Sequence, residues 1–163
     1  MKKVFKYATM VAAIAMMTLM SSCKNSDKDP LDVSAGITNK DWVGYLEDQK
    51  ENGSSWKDME RTKVAIRFNK SENRPLSGTG YQLEYNDDMT IKDKNTFKWA
   101  ITGDRIDIDY AGDEWKDVFI EFNHDVCVIN SNKFSGEMYD GSSHRYLFDL
   151  SVSPAINWSE YFK

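Results

Sequence analysis

Cysteine is scarce in this chain, whose 163 residues include only Cys23 and Cys127. The sequence contains no Cys-x-x-Cys pair, which excludes zinc-binding and redox motifs of that type. Cys127 lies in the apolar run from Val126 to Ile129, where we expect a small buried thiol rather than a reactive one. The folded domain must therefore depend on its hydrophobic core for stability.

Basic residues are also few, since 21 lysines and arginines stand against 26 acidic residues and the formal charge is −5. This deficit argues against a nucleic-acid partner, whose phosphates require a basic surface. It argues equally against electrostatic adhesion to anionic lipid. Any link to a membrane should therefore be covalent.

The residues that most enzymes need are sparse, and we expect no catalysis and no cofactor. The two histidines, His124 and His144, both lie in expected turns, and no Gly-x-Ser-x-Gly elbow, His-Glu-x-x-His helix or phosphate-binding loop is present. Ser142 and Ser143 precede His144, but neighbours in sequence do not make a triad. Paired carboxylates of a glycoside hydrolase stay an open alternative, because the sequence does not show which acids meet.

The chain has one long apolar run, from Ala8 to Met20, and three lysines precede it. This run is too short to span a bilayer comfortably as a permanent helix. The end of the run, Leu19-Met20-Ser21-Ser22-Cys23, resembles a lipobox, in which a small residue precedes a cysteine that receives a diacylglycerol. We therefore predict that residues 1–22 are a lipoprotein signal peptide and that Cys23 is lipidated. An ordinary secretory signal and an uncleaved anchor are the alternatives.

Lipidation of Cys23 predicts a membrane-anchored protein, since each buried methylene of an acyl chain contributes about 0.8 kcal/mol. It also leaves Cys127 without a disulfide partner in the chain. Residues 23–38 are mostly polar and acidic, so we expect a flexible tether. The stretch from Ser26 to Asp29 resembles the signal that sends lipoproteins of Bacteroidetes-type bacteria to the outer-membrane surface. A periplasm-facing anchor is the alternative.

We predict that residues 39–163 form one β-barrel domain, because from Asp41 onward the dominant apolar period is two, which is the period of a strand. The strand from Phe97 to Thr102 turns at Gly103-Asp104 into a second one from Arg105 to Tyr110. The pattern fades between Glu47 and Thr62, where we expect a short helix or a long loop. Short turns join most of the strands, and this favours an all-β, antiparallel up-and-down barrel of eight or nine strands. A β-sandwich is the alternative.

Part of this pattern resembles the lipocalin-like domains carried by small lipoproteins of Bacteroides and its relatives. The resemblance rests on Trp42, on the strand pair from Phe97 to Ile108 and on the final apolar strand from Phe148 to Leu150. It covers roughly residues 39–153 and implies a small antiparallel barrel or half-open barrel.

Six aromatic side chains lie on apolar strand faces that we expect to face the barrel interior. An eight-stranded barrel either fills itself with side chains or encloses one small ligand, so these residues are core or candidate ligand-lining residues. They are Trp42, Phe68, Tyr81, Tyr85, Phe97 and Trp99.

We expect the barrel to bind a small apolar or amphipathic ligand or an envelope component. The alternative is an interaction, inhibitor or accessory module with a filled barrel that acts through its loops. The tail after Pro154 is expected to fold across one end of the barrel. No metal site is expected, because a calcium loop beginning at Asp107 would place Ala111 and Val118 at ligand positions.

Overall fold

Nine antiparallel strands make up most of the part of the chain that the structure describes. The structure is a computed structural model, and it describes residues 27–112, 115, 117–141 and 143–162. The strands are β1 (Asp41–Asn52), β2 (Ser55–Ser71), β3 (Arg74–Tyr85), β4 (Ile91–Thr102), β5 (Arg105–Tyr110), β6 (Val118–Glu121), β7 (Val128–Ile129), β8 (Lys133–Tyr139) and β9 (His144–Ser153). Helix α1 (Pro30–Ile37) precedes the strands, and a single 3-10 turn at Trp158–Glu160 follows them.

The sheet closes on itself as an eight-stranded barrel. Strands β1 to β6 pair in order, β1 pairs also with β9, and β9 pairs with β8. The pairing of Phe119 and Ile120 in β6 with Tyr139 and Met138 in β8 completes the circle. Strand β7 pairs with the first half of β8 and is the ninth strand. The predicted fold class is therefore confirmed, and closure distinguishes the barrel from the alternative sandwich.

Aromatic rings pack against one another inside the barrel. The Phe68 ring lies edge-on to Phe97 at 5.2 Å, to Trp99 at 6.0 Å and to Phe134 at 6.1 Å between ring centroids. These are favourable separations for edge-to-face aromatic pairs. A Cβ atom on Gly80 would lie 2.1 Å from the Phe97 ring, so the ring occupies the space that a side chain there would need.

Helix α1 covers one end of the barrel, the closed end. The Asp29 carboxylate caps the helix by accepting a hydrogen bond from the Leu31 amide at 2.7 Å, and Pro30 occupies its first turn. Ile37, the last helical residue, is fully buried against the aromatic core. Its carbonyl accepts a hydrogen bond from the indole nitrogen of Trp42 at 2.8 Å.

The flexible tether predicted for residues 23–38 is therefore wrong from Pro30 onward. The helix is only eight residues long, and its apolar residues Leu31, Val33, Ala35 and Ile37 are spaced two apart, so the sequence shows no helical period. A helix this short depends on packing against the barrel. Lys28 is also attached at the closed end, where its amide donates to the Asn123 side chain at 2.7 Å and its ammonium group to the Phe122 carbonyl at 2.6 Å. The predicted signal peptide, residues 1–22, and Cys23 lie outside the described residues.

Strands β1 and β2 form a hairpin that is longer than expected. Pairing continues from Asp41 and Arg67 to Asn52 and Ser55, with a bulge after Asp48, so residues 47–62 are neither a helix nor a loop. At the tip Gly53 has a φ of +66°, a left-handed conformation suited to a tight turn. Residues 50–61 are exposed on both faces of the hairpin, and this is why the strand alternation disappears there.

The carboxyl-terminal tail, residues 154–162, packs on the outer face of the barrel instead of across an end. Trp158 stacks on Tyr81 at 5.7 Å, and the Phe162 ring lies 4.7 Å from the same tyrosine. Ala65 and Leu83 lie beneath them and are fully buried. The tail therefore shields the apolar outer face of β2 and β3 from solvent.

Asp41, the first residue of β1, attaches the tail to the barrel. Its carboxylate accepts hydrogen bonds from the Trp158 indole at 2.8 Å and from the Ile156 amide at 2.6 Å, and it pairs with Arg67 at 2.8 Å. Burial alone would raise the pKa of Asp41, but these three donors outweigh it and hold the pKa below its usual value. The carboxylate is therefore charged at neutral pH although its side chain is only 2% exposed.

Candidate functional site

Four of the predicted ligand-lining side chains are packed in the barrel core. Trp42, Phe68, Phe97 and Trp99 are buried in one continuous hydrophobic cluster. The Trp99 indole nitrogen is satisfied as well, because the Asn69 and Thr79 carbonyls accept hydrogen bonds from it at 3.1 and 3.2 Å. Contact of these four side chains with a ligand stays a prediction.

The predicted inward orientation of Tyr81 and Tyr85 is wrong. Both side chains lie on the outer face of β3, in the cluster that the tail covers. The alternate positions, Gln82 and Glu84, point inward instead. A strand face of tyrosine and leucine usually faces the core. In β3, however, this apolar face packs under the tail, and the polar face points into the barrel interior.

The inward polar residues of β3 form a hydrogen-bonded chain. The buried Tyr110 hydroxyl donates to the Gln82 side-chain oxygen at 2.6 Å, and the Gln82 amide donates to the Glu84 carboxylate at 3.0 Å. Burial raises the pKa of Tyr110, so its hydroxyl keeps its proton and serves as a donor. The chain runs from the aromatic core toward the end of the barrel opposite α1, which is the open end.

A recess of about 160 Å³ lies at the open end. Six separate elements supply its walls, so it exists only when the barrel is closed. We refer to it as the open-end recess, and its lining residues are Leu46, Asp48, Glu60, Thr62, Glu84, Lys92, Trp115 and Tyr146.

The charged groups of the open-end recess are mostly acidic. Lys92 pairs with Glu60 at 2.6 Å, and this contact holds the pKa of Glu60 below its usual value. His144 contacts Asp48 at 2.8 Å. Burial raises the pKa of Glu84, and the neutral Gln82 amide and the charge of Lys92 offset this only in part. Three carboxylates and one ammonium group line the recess, which is therefore negative.

The recess also has an aromatic part, which lies beside Asp48 because Tyr146 is the cross-strand neighbour of that residue. Trp115, in the loop after β5, stacks on Tyr146 with ring centroids 4.7 Å apart, and Tyr110 lies 5.2 Å from the same tryptophan. Burial raises the pKa of Tyr146. Its hydroxyl is within 3.4 Å of Asp140. The recess therefore combines apolar ring surface with carboxylates.

Two larger depressions, of about 650 and 490 Å³, lie on the outer surface of the barrel. The first lies between the tail and β4, and the second lies along β4 and β5. Both are more open to solvent than the open-end recess, and neither is enclosed by the barrel wall. The open-end recess is the better candidate site because several strands converge on it.

The remaining predicted candidates do not form a second site among the described residues. Cys127 is buried as predicted, and burial raises the pKa of its thiol to about 11. Asp107 lies partly exposed on β5 and pairs with Arg105 at 3.0 Å. In the described ranges, no three His, Cys, Asp or Glu side chains are grouped so as to hold a metal ion. Of the serines beside His144, Ser142 lies outside those ranges.

Comparison with known proteins does not assign the chain to a family. No family model matches it, and no curated protein and no solved structure is significantly similar to it. Within the described residues, none of the helices has the length and apolar character needed to cross a membrane.

Proposed function

We propose that this protein is a lipid-anchored outer-membrane protein of the lipocalin-like kind that binds a small amphipathic solute without catalysing a reaction. The observation that carries the proposal is the open-end recess, where carboxylates from three strands and a stacked aromatic pair line one cavity. Glu84 is the inward group at its floor, and Trp115 and Tyr146 form its apolar wall. A ligand that has both a polar and an apolar part matches these two walls.

The packing of the core limits the size of this solute. Below the recess, the Phe68 ring contacts the rings of Phe97, Trp99 and Phe134, so these side chains fill the barrel at that level. Pockets that bury drug-sized molecules usually measure about 300–1,000 Å³. A recess of about 160 Å³ suits a smaller molecule, or one end of a longer one.

The position of Lys28 indicates how the proposed lipid anchor would orient the barrel relative to the membrane. Lys28 is hydrogen-bonded to Asn123 and Phe122 at the closed end of the barrel. The five residue steps from Cys23 to Lys28 span at most about 17 Å of extended chain. A lipid on Cys23 would therefore hold the closed end near the membrane, and the open-end recess would point away from it.

The binding proposal can be tested by filling the recess. Thr62 lies on its wall, and Thr62→Phe would occupy much of its volume. We expect a small molecule to co-purify with the wild type from its own host, as detected by mass spectrometry of an extract, and to be lost from Thr62→Phe. Thr79→Phe places the same ring on the exposed face of β3 and is the control. Identical extracts from all three proteins would reject the proposal.

The lipid anchor has its own test, in which cells are fed a labelled fatty-acid analogue. We expect the wild type and Cys127→Ala to be labelled and Cys23→Ala to remain unlabelled. Equal labelling of wild type and Cys23→Ala would reject lipidation at Cys23, whatever the result for the recess.

A role in protein interaction is the second candidate, and the long β1–β2 hairpin favours it. Trp56 and Met59 are 37% and 54% exposed on this hairpin. Exposed aromatic and methionine side chains are common anchors at protein interfaces. A photo-crosslinking residue at position 59 should then capture one discrete envelope protein, whereas one at Glu72, in a turn at the closed end, should not. Equal capture at both positions would reject this role.

A further inference from the structure

We propose that the open-end recess selects a small organic cation, a primary ammonium group carried on a short hydrocarbon chain. This inference rests on the proposed function, because it names the class of ligand that the same recess binds. It goes further in assigning the carboxylates to the charge of the ligand and the aromatic pair to its hydrocarbon part.

The distribution of charge within the recess favours a cation. Lys92 already pairs with Glu60, and His144 contacts Asp48. Glu84 differs from these two acids, because among the described residues it forms no ion pair, and Lys92, which pairs with Glu60, acts on it only through its charge. Its hydrogen-bond partner is the neutral Gln82 amide at 3.0 Å. A half-buried carboxylate in this position is best stabilised by a positively charged donor from a ligand.

The aromatic pair and a neighbouring leucine supply the contact for the hydrocarbon part. Trp115 and Tyr146 are stacked at 4.7 Å, and Leu46 adds an aliphatic side chain beside them. A cavity of about 150 Å³ holds a molecule the size of benzene, so the recess accommodates about six non-hydrogen atoms. A short alkylammonium ion therefore fits between the rings and the carboxylates, and longer substituents would extend into solvent.

Other ligand classes satisfy these walls less well. A carboxylate or phosphate would lie beside Asp48, Glu60 and Glu84 and would be repelled by their net charge. A neutral alcohol would form hydrogen bonds without the additional strength that a charged donor provides. A bare metal ion would gain nothing from the aromatic wall.

Calorimetric titration of the full-length lipidated protein in neutral-detergent micelles tests the assignment with three probes of similar size. We expect n-butylammonium to bind roughly tenfold more tightly than n-butanol or butyrate, because hydrogen bonds to charged groups are stronger. Glu84→Gln should weaken n-butylammonium binding by a similar factor, on the order of tenfold. Glu72→Gln removes the same charge from an exposed turn at the closed end and should bind like the wild type. Asp48→Asn removes a second carboxylate of the recess and should also weaken n-butylammonium binding, so it provides the same test if Glu84→Gln does not fold.

The outcomes separate the two proposals. If none of the three probes binds, the recess is not a solute site and both proposals fail. If butanol or butyrate binds as tightly as n-butylammonium, the binding function stands and the cation assignment is overturned. Full competition by calcium chloride at equal concentration would likewise overturn it, in favour of a metal-ion site. Unchanged affinity in both Glu84→Gln and Asp48→Asn would show that these carboxylates do not recognise the ammonium group.

Discussion

Replacing Asp41 with asparagine should detach the carboxyl-terminal tail from the barrel. The wild-type carboxylate accepts hydrogen bonds from three donors, on Trp158, Ile156 and Arg67. Asparagine has the same shape but only one oxygen, so its amide nitrogen would face at least one of these donors. The tail would lose its buried attachment, while the pairing of β1 with its neighbours would remain.

The expected cost follows from the burial of this group. Hydrogen bonds to charged groups contribute about 1.5–3 kcal/mol each, and removal of one partner of a buried ion pair costs about 3–5 kcal/mol. Arg67 is 30% exposed, so water can compensate part of its loss. We therefore expect Asp41→Asn to lower the free energy of unfolding by about 2–4 kcal/mol at pH 7.

Urea denaturation at several pH values measures this cost. Because the pKa of Asp41 is lowered in the folded state, its contribution is complete above its ordinary pKa of about 3.9 and is lost as the pH falls further. The difference between wild type and Asp41→Asn should therefore shrink below about pH 4. Asp149→Asn is the control, since Asp149 is 68% exposed and pairs with Lys133 on the surface. Equal effects of the two substitutions at pH 7 would refute the reasoning.

Three further predictions concern the core, the helix and the recess and use the same denaturation assay. Trp99→Ala should cost about 3–5 kcal/mol, because it leaves a cavity in the packed interior, and a cost under about 1.5 kcal/mol would argue that space beside the ring already exists. Ile37→Ala should lower the free energy of unfolding by about 2–5 kcal/mol, because Ile37 is fully buried. Leu31 is 54% exposed, so the control Leu31→Ala should change it by no more than about 0.5 kcal/mol. Similar small effects of both substitutions would contradict the buried position of the helix. Glu84→Gln should be more stable than the wild type at pH 7, because burial raises the pKa of Glu84 and so disfavours its charged form. This gain in stability should disappear as the pH falls through the raised pKa. A variant less stable than the wild type at pH 7 would contradict this reasoning.

The barrel was predictable wherever one face of a strand is apolar and the other polar. Strands β4 and β5 meet this condition, so the turn at Gly103 and the inward positions of Phe97 and Trp99 could be read from the chain. The outer half of the β1–β2 hairpin is solvated on both faces and carries no such signal. Helix α1 offered only the cap at Asp29 followed by Pro30, and its burial depends on strands far away in sequence.

The candidate site was much less predictable than the fold. Tyr81 and Tyr85 were expected inside because nothing local shows that the tail covers the outer face of β3. Glu84 and Lys92 were missed because charged residues on strands usually face solvent. The one available signal was Gln82 followed by Glu84 on a strand whose other face is apolar. Their convergence with Trp115 arises only from barrel closure, which a linear pattern does not contain.

The pairing of β1 with β9 has a consequence for the order of folding. Asp41 pairs with Ser153 and Lys50 with His144, so the first strand cannot complete its hydrogen bonds until the last strand is available. Contacts this distant in sequence are slow to form, because a long loop must close first. Until then the free edges of β1 and β9 can pair with other chains. A newly made chain would therefore pass through an aggregation-prone interval that ends only at barrel closure, and this interval is when it would most need a holding chaperone.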